Sequence, residues 1–100
     1  MKREIIRVEP LATYLERYGA PTSTVTKHGD TIYVTGAPPF DPDTGEIFTG
    51  PIERQTELVL EQMKLCVETA GSSLDNVRIF INVPAWSGGF DIEVDCIAAI

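Results

Sequence analysis

One hundred residues carrying a net charge of −7 make one small domain, residues 1–100, with the hydrophobic content of an ordinary globular protein. Fifteen acidic against eight basic residues argue against a nucleic-acid backbone as partner, because affinity for phosphates rests on Lys and Arg. No apolar run is long enough to cross a membrane, and Met1–Ile6 has no apolar signal-peptide core, so a cytoplasmic protein is expected.

In chain order, Glu4–Val8 alternates weakly as a short first strand, and Leu11–Tyr18, between Pro10 and Gly19, has helix-like ends. Ser23–Lys27 and Thr31–Thr35 flank the turn His28-Gly29-Asp30 and are expected to form a hairpin. Gly36-Ala37-Pro38-Pro39-Phe40 ends that strand, since consecutive prolines cannot donate to a ladder. Asp41–Gly45 reads as a turn and Glu46–Phe48 as a short extended piece. The main helix runs from Pro51 to Ala70 and stops at Gly71, with Val59, Met63, Cys66, Val67 and Ala70 as its apolar stripe. Glu53, Arg54, Glu57, Glu61 and Lys64 form the outward set.

After the link Ser72–Asn76, two arms with a period of two close the chain: Val77–Val83 and Phe90–Ala99, joined through Pro84 and Ser87-Gly88-Gly89. With Val77, Ile79, Ile81 and Val83 laid against the Phe90, Ile92, Val94 and Cys96 face, Arg78 falls on the same side as Glu93 and Asp95. As a solvated cross-strand charge pair this would stabilise the sheet by roughly 0.2–1 kcal/mol. Walled off by another element or subunit, with Phe80 on the same face, the Arg becomes a fork for a substrate carboxylate and the acid a handle on water. His28, the single histidine, lies in a turn without a metal-binding partner, so no metal site is expected. Cys66 and Cys96 read as small core residues and reduced thiols. Strands, one long helix and further strands make an α+β domain with the helix on one face of a sheet.

Three stretches resemble one family. The run Ile32-Tyr33-Val34-Thr35-Gly36-Ala37-Pro38-Pro39-Phe40-Asp41-Pro42-Asp43-Thr44-Gly45-Glu46, the helix end Val67-Glu68-Thr69-Ala70-Gly71-Ser72-Ser73-Leu74, and an Arg (Arg78) followed fifteen positions later by the pair Ile92-Glu93 are similar to the reactive intermediate deaminases, RidA or YjgF. The resemblance runs from about Ser23 onward. It implies a chorismate-mutase-like fold with a mixed sheet, assembled as a homotrimer with sites between subunits. It also implies hydrolysis of carboxylate-bearing enamines and imines, such as 2-aminoacrylate, to 2-keto acids and ammonia, with no metal or organic cofactor. Carried over by position, Arg78 would bind the substrate carboxylate and Glu93 would orient the attacking water. Thr35, Gly36 and Phe80 would complete the substrate-binding set. Compared with the family, one strand and one helix are missing, on the order of thirty residues, and the shortening is expected where Val77 meets Arg78. The alternative is a non-catalytic small-anion binding or interaction module derived from that family. An RNA-cleaving role fits poorly with the acidic balance.

Overall fold

The computed structural model describes residues 3–20, 24–84 and 89–100, and for residues 80–84 the backbone alone. Five strands, β1 (Arg3–Ile6), β2 (Val25–His28), β3 (Thr31–Val34), β4 (Val77–Pro84) and β5 (Ile92–Ala99), form one sheet in the order β1-β2-β3-β5-β4. A short helix α1 (Leu11–Arg17) precedes β2, and the long helix α2 (Ile52–Thr69) joins β3 to β4. The expected hairpin is β2–β3, with Lys27 opposite Ile32 and His28 opposite Thr31. The extended piece near Ile47 bridges back to Phe40.

α2 forms for the reasons its sequence suggests. Pro51 stands at its N-cap, and Gly71 follows its end at φ +90° with the Ser72 N–H donating to the Val67 carbonyl at 2.8 Å. All five stripe residues are buried, joined by Leu58 and Gln55, while Glu53, Glu57, Glu61 and Lys64 stay exposed and Arg54 is half-buried. The stripe lies on β5 and β3, against Val94, Cys96, Ala98, Ile32 and Val34, and α1 adds Leu11 and Leu15 to the same core.

Two expectations are corrected. Every strand pairing among the described residues is antiparallel, where a mixed sheet was expected. The crossover through α2 leaves β3 and β4 pointing the same way, but β5 lies between them and is antiparallel to both. The β4–β5 register also differs. Val77 stands opposite Ala98 and Ile79 opposite Ile97, so Arg78 is the extra residue of a bulge. One added residue reverses the alternation that follows, because side chains repeat every two positions. Ile81 is consequently opposite Asp95 and Val83 opposite Glu93, whereas the sequence reading had laid that arm's Val and Ile face on the core. The expected turn residues Ser87 and Gly88 lie outside the described residues.

The register leaves one row crossing all five strands on the face away from α2: Ile5, Thr26, Tyr33, Ile97 and Ile79. Ile5 is 60% exposed, Tyr33 45% and Ile79 49%.

Candidate functional site

The site begins where β3 ends. Beyond Val34 the chain turns away through Thr35 and Gly36, and the Gly36 N–H donates to Asp95 Oδ1 on β5, 59 positions away. The approach is so close that a β-carbon on Gly36 would stand 2.5 Å from Glu93 Cγ and 2.6 Å from Asp95 Oδ1. With glycine there, both side chains can lie against the turn without being displaced.

Glutamine side chains of α2 fix the surroundings. Gln62 donates to the Pro38 carbonyl at 2.9 Å and accepts from the Phe40 N–H at 2.8 Å, holding the proline-rich loop in place. Gln55, fully buried, donates to Asp91 Oδ2 at 3.0 Å and to the Gly50 carbonyl at 2.8 Å. It also accepts from the Asp91 N–H at 2.8 Å, which ties the lead-in to β5 onto the start of the helix. Phe40 is buried, 5.2 Å from Tyr14 and 6.1 Å from Tyr18 between ring centres.

These elements enclose an open cleft of about 570 Å³. Thr35, Gly36 and Pro38 form one side, Glu93 and Asp95 the other, and Tyr18, Phe40 and Phe90 supply aromatic wall. Glu93 is half-buried, and its carboxylate makes no hydrogen bond among the described residues. Burial pushes its carboxyl above the ordinary carboxylate range, and the charge of Asp95 adds to the rise. That leaves a more basic carboxylate facing the cleft.

Three of the residues expected at the site, Thr35, Gly36 and Glu93, therefore meet in one place. Arg78 does not join them. It is exposed in the bulge opposite Ile97, while Glu93 faces Val83 five residues further along β4. At strand rise that separation is about 15 Å. The side chain of Phe80 lies outside the described residues. Sequence reasoning missed Tyr18 and Phe90 as walls and Gln55 and Gln62 as supports. A glutamine on the buried side of a helix is the one signal that could have pointed to the last two, since a buried amide needs partners.

Cys66 and Cys96 are both buried and free. Burial pushes Cys66 up to about 12 and Cys96 to about 11, so both are inert thiols rather than nucleophiles. Among the described residues no three His, Cys, Asp or Glu side chains converge as a metal ion requires, and no helix is long and apolar enough to cross a membrane.

The sequence profile of the family described as Endoribonuclease L-PSP matches residues 16–83. A RutC family protein of Pyrococcus abyssi is 47% identical over 57 residues, 57% of this chain and 45% of that protein. Another, from Sulfurisphaera tokodaii, is 47% identical over 59 residues, 59% of this chain and 47% of that one. The chain thus spans less than half the length of these relatives. The crystal structure of RidA from an Antarctic Psychrobacter superposes with a TM-score of 0.70 at 27% identity, covering 80% of this chain and 89% of that one. A structure described as an endoribonuclease L-PSP from Entamoeba histolytica gives 0.82 over 99% of this chain and 100% of that one; at 21% identity it supports the fold alone.

The extent of the profile match bears on the shortening. It continues through residue 83 and so takes in β4 together with α2, leaving β5 outside. The match thus takes in both Val77 and Arg78, where the shortening was expected.

Proposed function

The chain belongs to the RidA/YjgF family, described also as Endoribonuclease L-PSP, and from that premise we propose that it hydrolyses reactive imines and enamines to carbonyl compounds and ammonia in the Gly36–Glu93 cleft. The observation that supports this reading is the meeting of Thr35, Gly36 and Glu93 in one aromatic-walled cleft, although 57 positions separate Gly36 from Glu93 in sequence.

An enamine first takes a proton on carbon to become the iminium. Glu93 then accepts a proton from water as the oxygen bonds to the iminium carbon and the π pair moves to nitrogen. The proton passes from Glu93 to that nitrogen; Glu93 then takes the hydroxyl proton as the carbinolamine oxygen forms the carbonyl and the C–N bond breaks, and hands it to the departing ammonia. Iminium and water are consumed; carbonyl compound and ammonium leave. A general base poised above its ordinary pKa suits this exchange near neutrality. Asp95 holds the Gly36 amide and so keeps β3 close to β5 at the reacting end of the cleft.

The test is an imine generated in situ by a flavin oxidase, with carbonyl release followed in the presence of micromolar protein. Faster release than the uncatalysed rate is expected; equal rates would refute the reading. The endoribonuclease activity in the family's description fits less well. Glu93 and Asp95 line the cleft and the chain carries −7, where RNA binding calls for Lys and Arg along the phosphates. Nuclease activity that follows the protein through purification would reverse that judgement.

We further propose that copies of the chain cover the outer row of the sheet, as the homotrimer implied by the resemblance would. Ile5, Tyr33 and Ile79 form an apolar band too extended for solvent alone to be its natural neighbour. Light scattering on a size-exclusion column should give three times the monomer mass; a folded monomer would overturn the assembly.

A further inference from the structure

The charge of the cleft points to a narrower substrate class. Resting on the hydrolytic reading above, we propose that the preferred substrates are imines without a carboxylate, whose iminium cation sits between Glu93, Asp95 and the aromatic wall, rather than 2-imino acids.

Among the described residues the cleft offers two acids and no base. Glu93 and Asp95 line it together, and no Lys, Arg or His among them does. The seven Lys and Arg among the described residues are placed elsewhere. Arg7 and Arg54 are engaged by Glu9 and Glu57, each at 3.0 Å. Arg17 lies over the Tyr14 ring, 5.4 Å from its centre. Arg3 and Lys27 are on β1 and β2, Lys64 is on the exposed side of α2, and Arg78 stands at the far end of the β4–β5 ladder. Residues 21–23 and 85–88 contain no Lys, Arg or His in the sequence, and the eighth basic residue, Lys2, lies outside the described residues.

A substrate carboxylate entering here would leave water to face two like charges without a counter-ion, which costs both solvation and Coulomb energy. An iminium cation meets the opposite situation. The carboxylates attract it, and the faces of Tyr18, Phe40 and Phe90 offer cation–π contact on a partly desolvated wall. Glu93, which handles water, and Asp95 beside it therefore select against an acidic substrate.

The test compares two imines that differ only in the carboxylate. Phenylethylamine oxidised by a flavin amine oxidase and phenylalanine oxidised by a flavin amino-acid oxidase supply them, and protein-dependent carbonyl release is followed for each. In parallel, benzamidinium and benzoate are titrated as stable stand-ins for the two charges. The expected result is a preference of about tenfold or more for the carboxylate-free imine and for benzamidinium, with the benzamidinium preference reduced in Asp95→Asn. Faster hydrolysis of the 2-imino acid, or benzoate binding as tightly as benzamidinium, overturns the inference. If Arg78→Ala then abolishes that acid preference, Arg78 acts as the clamp from a neighbouring copy. If neither imine is hydrolysed while benzamidinium is still preferred, the hydrolytic reading falls and the charge selectivity stands.

Discussion

Asp91 and Glu93 are two residues apart at the mouth of β5, and the fold treats them oppositely. Asp91 is gripped by a fully buried glutamine that bonds both its carboxylate and its amide N–H, while the Glu93 carboxylate receives no hydrogen bond among the described residues. A residue held at both its carboxylate and its amide is a structural element. One left half-buried beside another acid is held in a state that stability alone would not select, and such groups concentrate where chemistry is done. The comparison teaches that the first residues of β5 divide anchoring from reactivity, and each half can be broken separately.

Removing the reactive half should have the largest effect. Glu93→Gln keeps the shape and loses the base, so imine hydrolysis should fall by about 10²–10⁴-fold. Its stability should change the other way. The native Glu93 carboxyl titrates above its ordinary 4.5, chiefly through burial and then through Asp95. Such a group favours the fold below its unfolded pKa, and that contribution is lost as pH rises through the native value. At pH 7 the glutamine variant should melt slightly higher than the parent, by about 1–2 °C given the solvent exposure of the site. That gap should close as the pH is lowered towards 4.5. A variant that is both inactive and less stable at pH 7 would mean Glu93 is an anchor after all.

Removing the anchoring half should reverse the pattern. Gln55→Leu strips the Asp91 N–H, the Asp91 carboxylate and the Gly50 carbonyl of a shared partner. Asp91 and Gly50 are exposed enough for water to replace part of what they lose, so a loss of about 1–2 kcal/mol is expected, measured by urea unfolding. Any fall in activity should then follow the unfolded fraction and vanish at lower temperature. Gly36→Ala sharpens the comparison where the halves touch. Its β-carbon would overlap Glu93 and Asp95, both side chains with some freedom to yield, for a cost of about 1–2 kcal/mol. Activity should fall beyond what that destabilisation explains, because the atoms that must yield belong to the site.

Much of this division could be read from the residues. The helix stripe, its proline start and its glycine stop follow from spacing and backbone chemistry, and the alternation of Ile92–Cys96 alone puts Glu93 and Asp95 on one face. The β4 register could not be read. Arg78 enters as the extra residue of a bulge, and nothing in Val77-Arg78-Ile79 distinguishes a bulge from regular alternation. Regular alternation puts Arg78 on one face with Glu93 and Asp95, whereas the residue opposite Glu93 is Val83, five residues further along β4. Gln55 and Gln62 were illegible for a different reason. A glutamine on a helix is neutral by propensity, and its value appears only when a loop from elsewhere in the chain presents the carbonyls and amides that it bonds.

The smallest effect concerns the thiols. Cys66 on α2 and Cys96 on β5 face the same core, and burial pushes their pKa values up to about 12 and about 11. At pH 8 the thiolate fraction of either is then about a thousandth or less, and the sulfur is covered as well. Labelling by a disulfide reagent should therefore proceed only through opening of the core, at a rate that rises with urea in step with unfolding. Replacing Cys96 by Ala should leave hydrolysis unchanged at temperatures where the fold is intact. Rapid labelling of the native protein, or lost activity in folded Cys96→Ala, would show that the wall behind Glu93 and Asp95 is open to solvent. The line between anchored core and reactive cleft would then have to be drawn one residue deeper along β5.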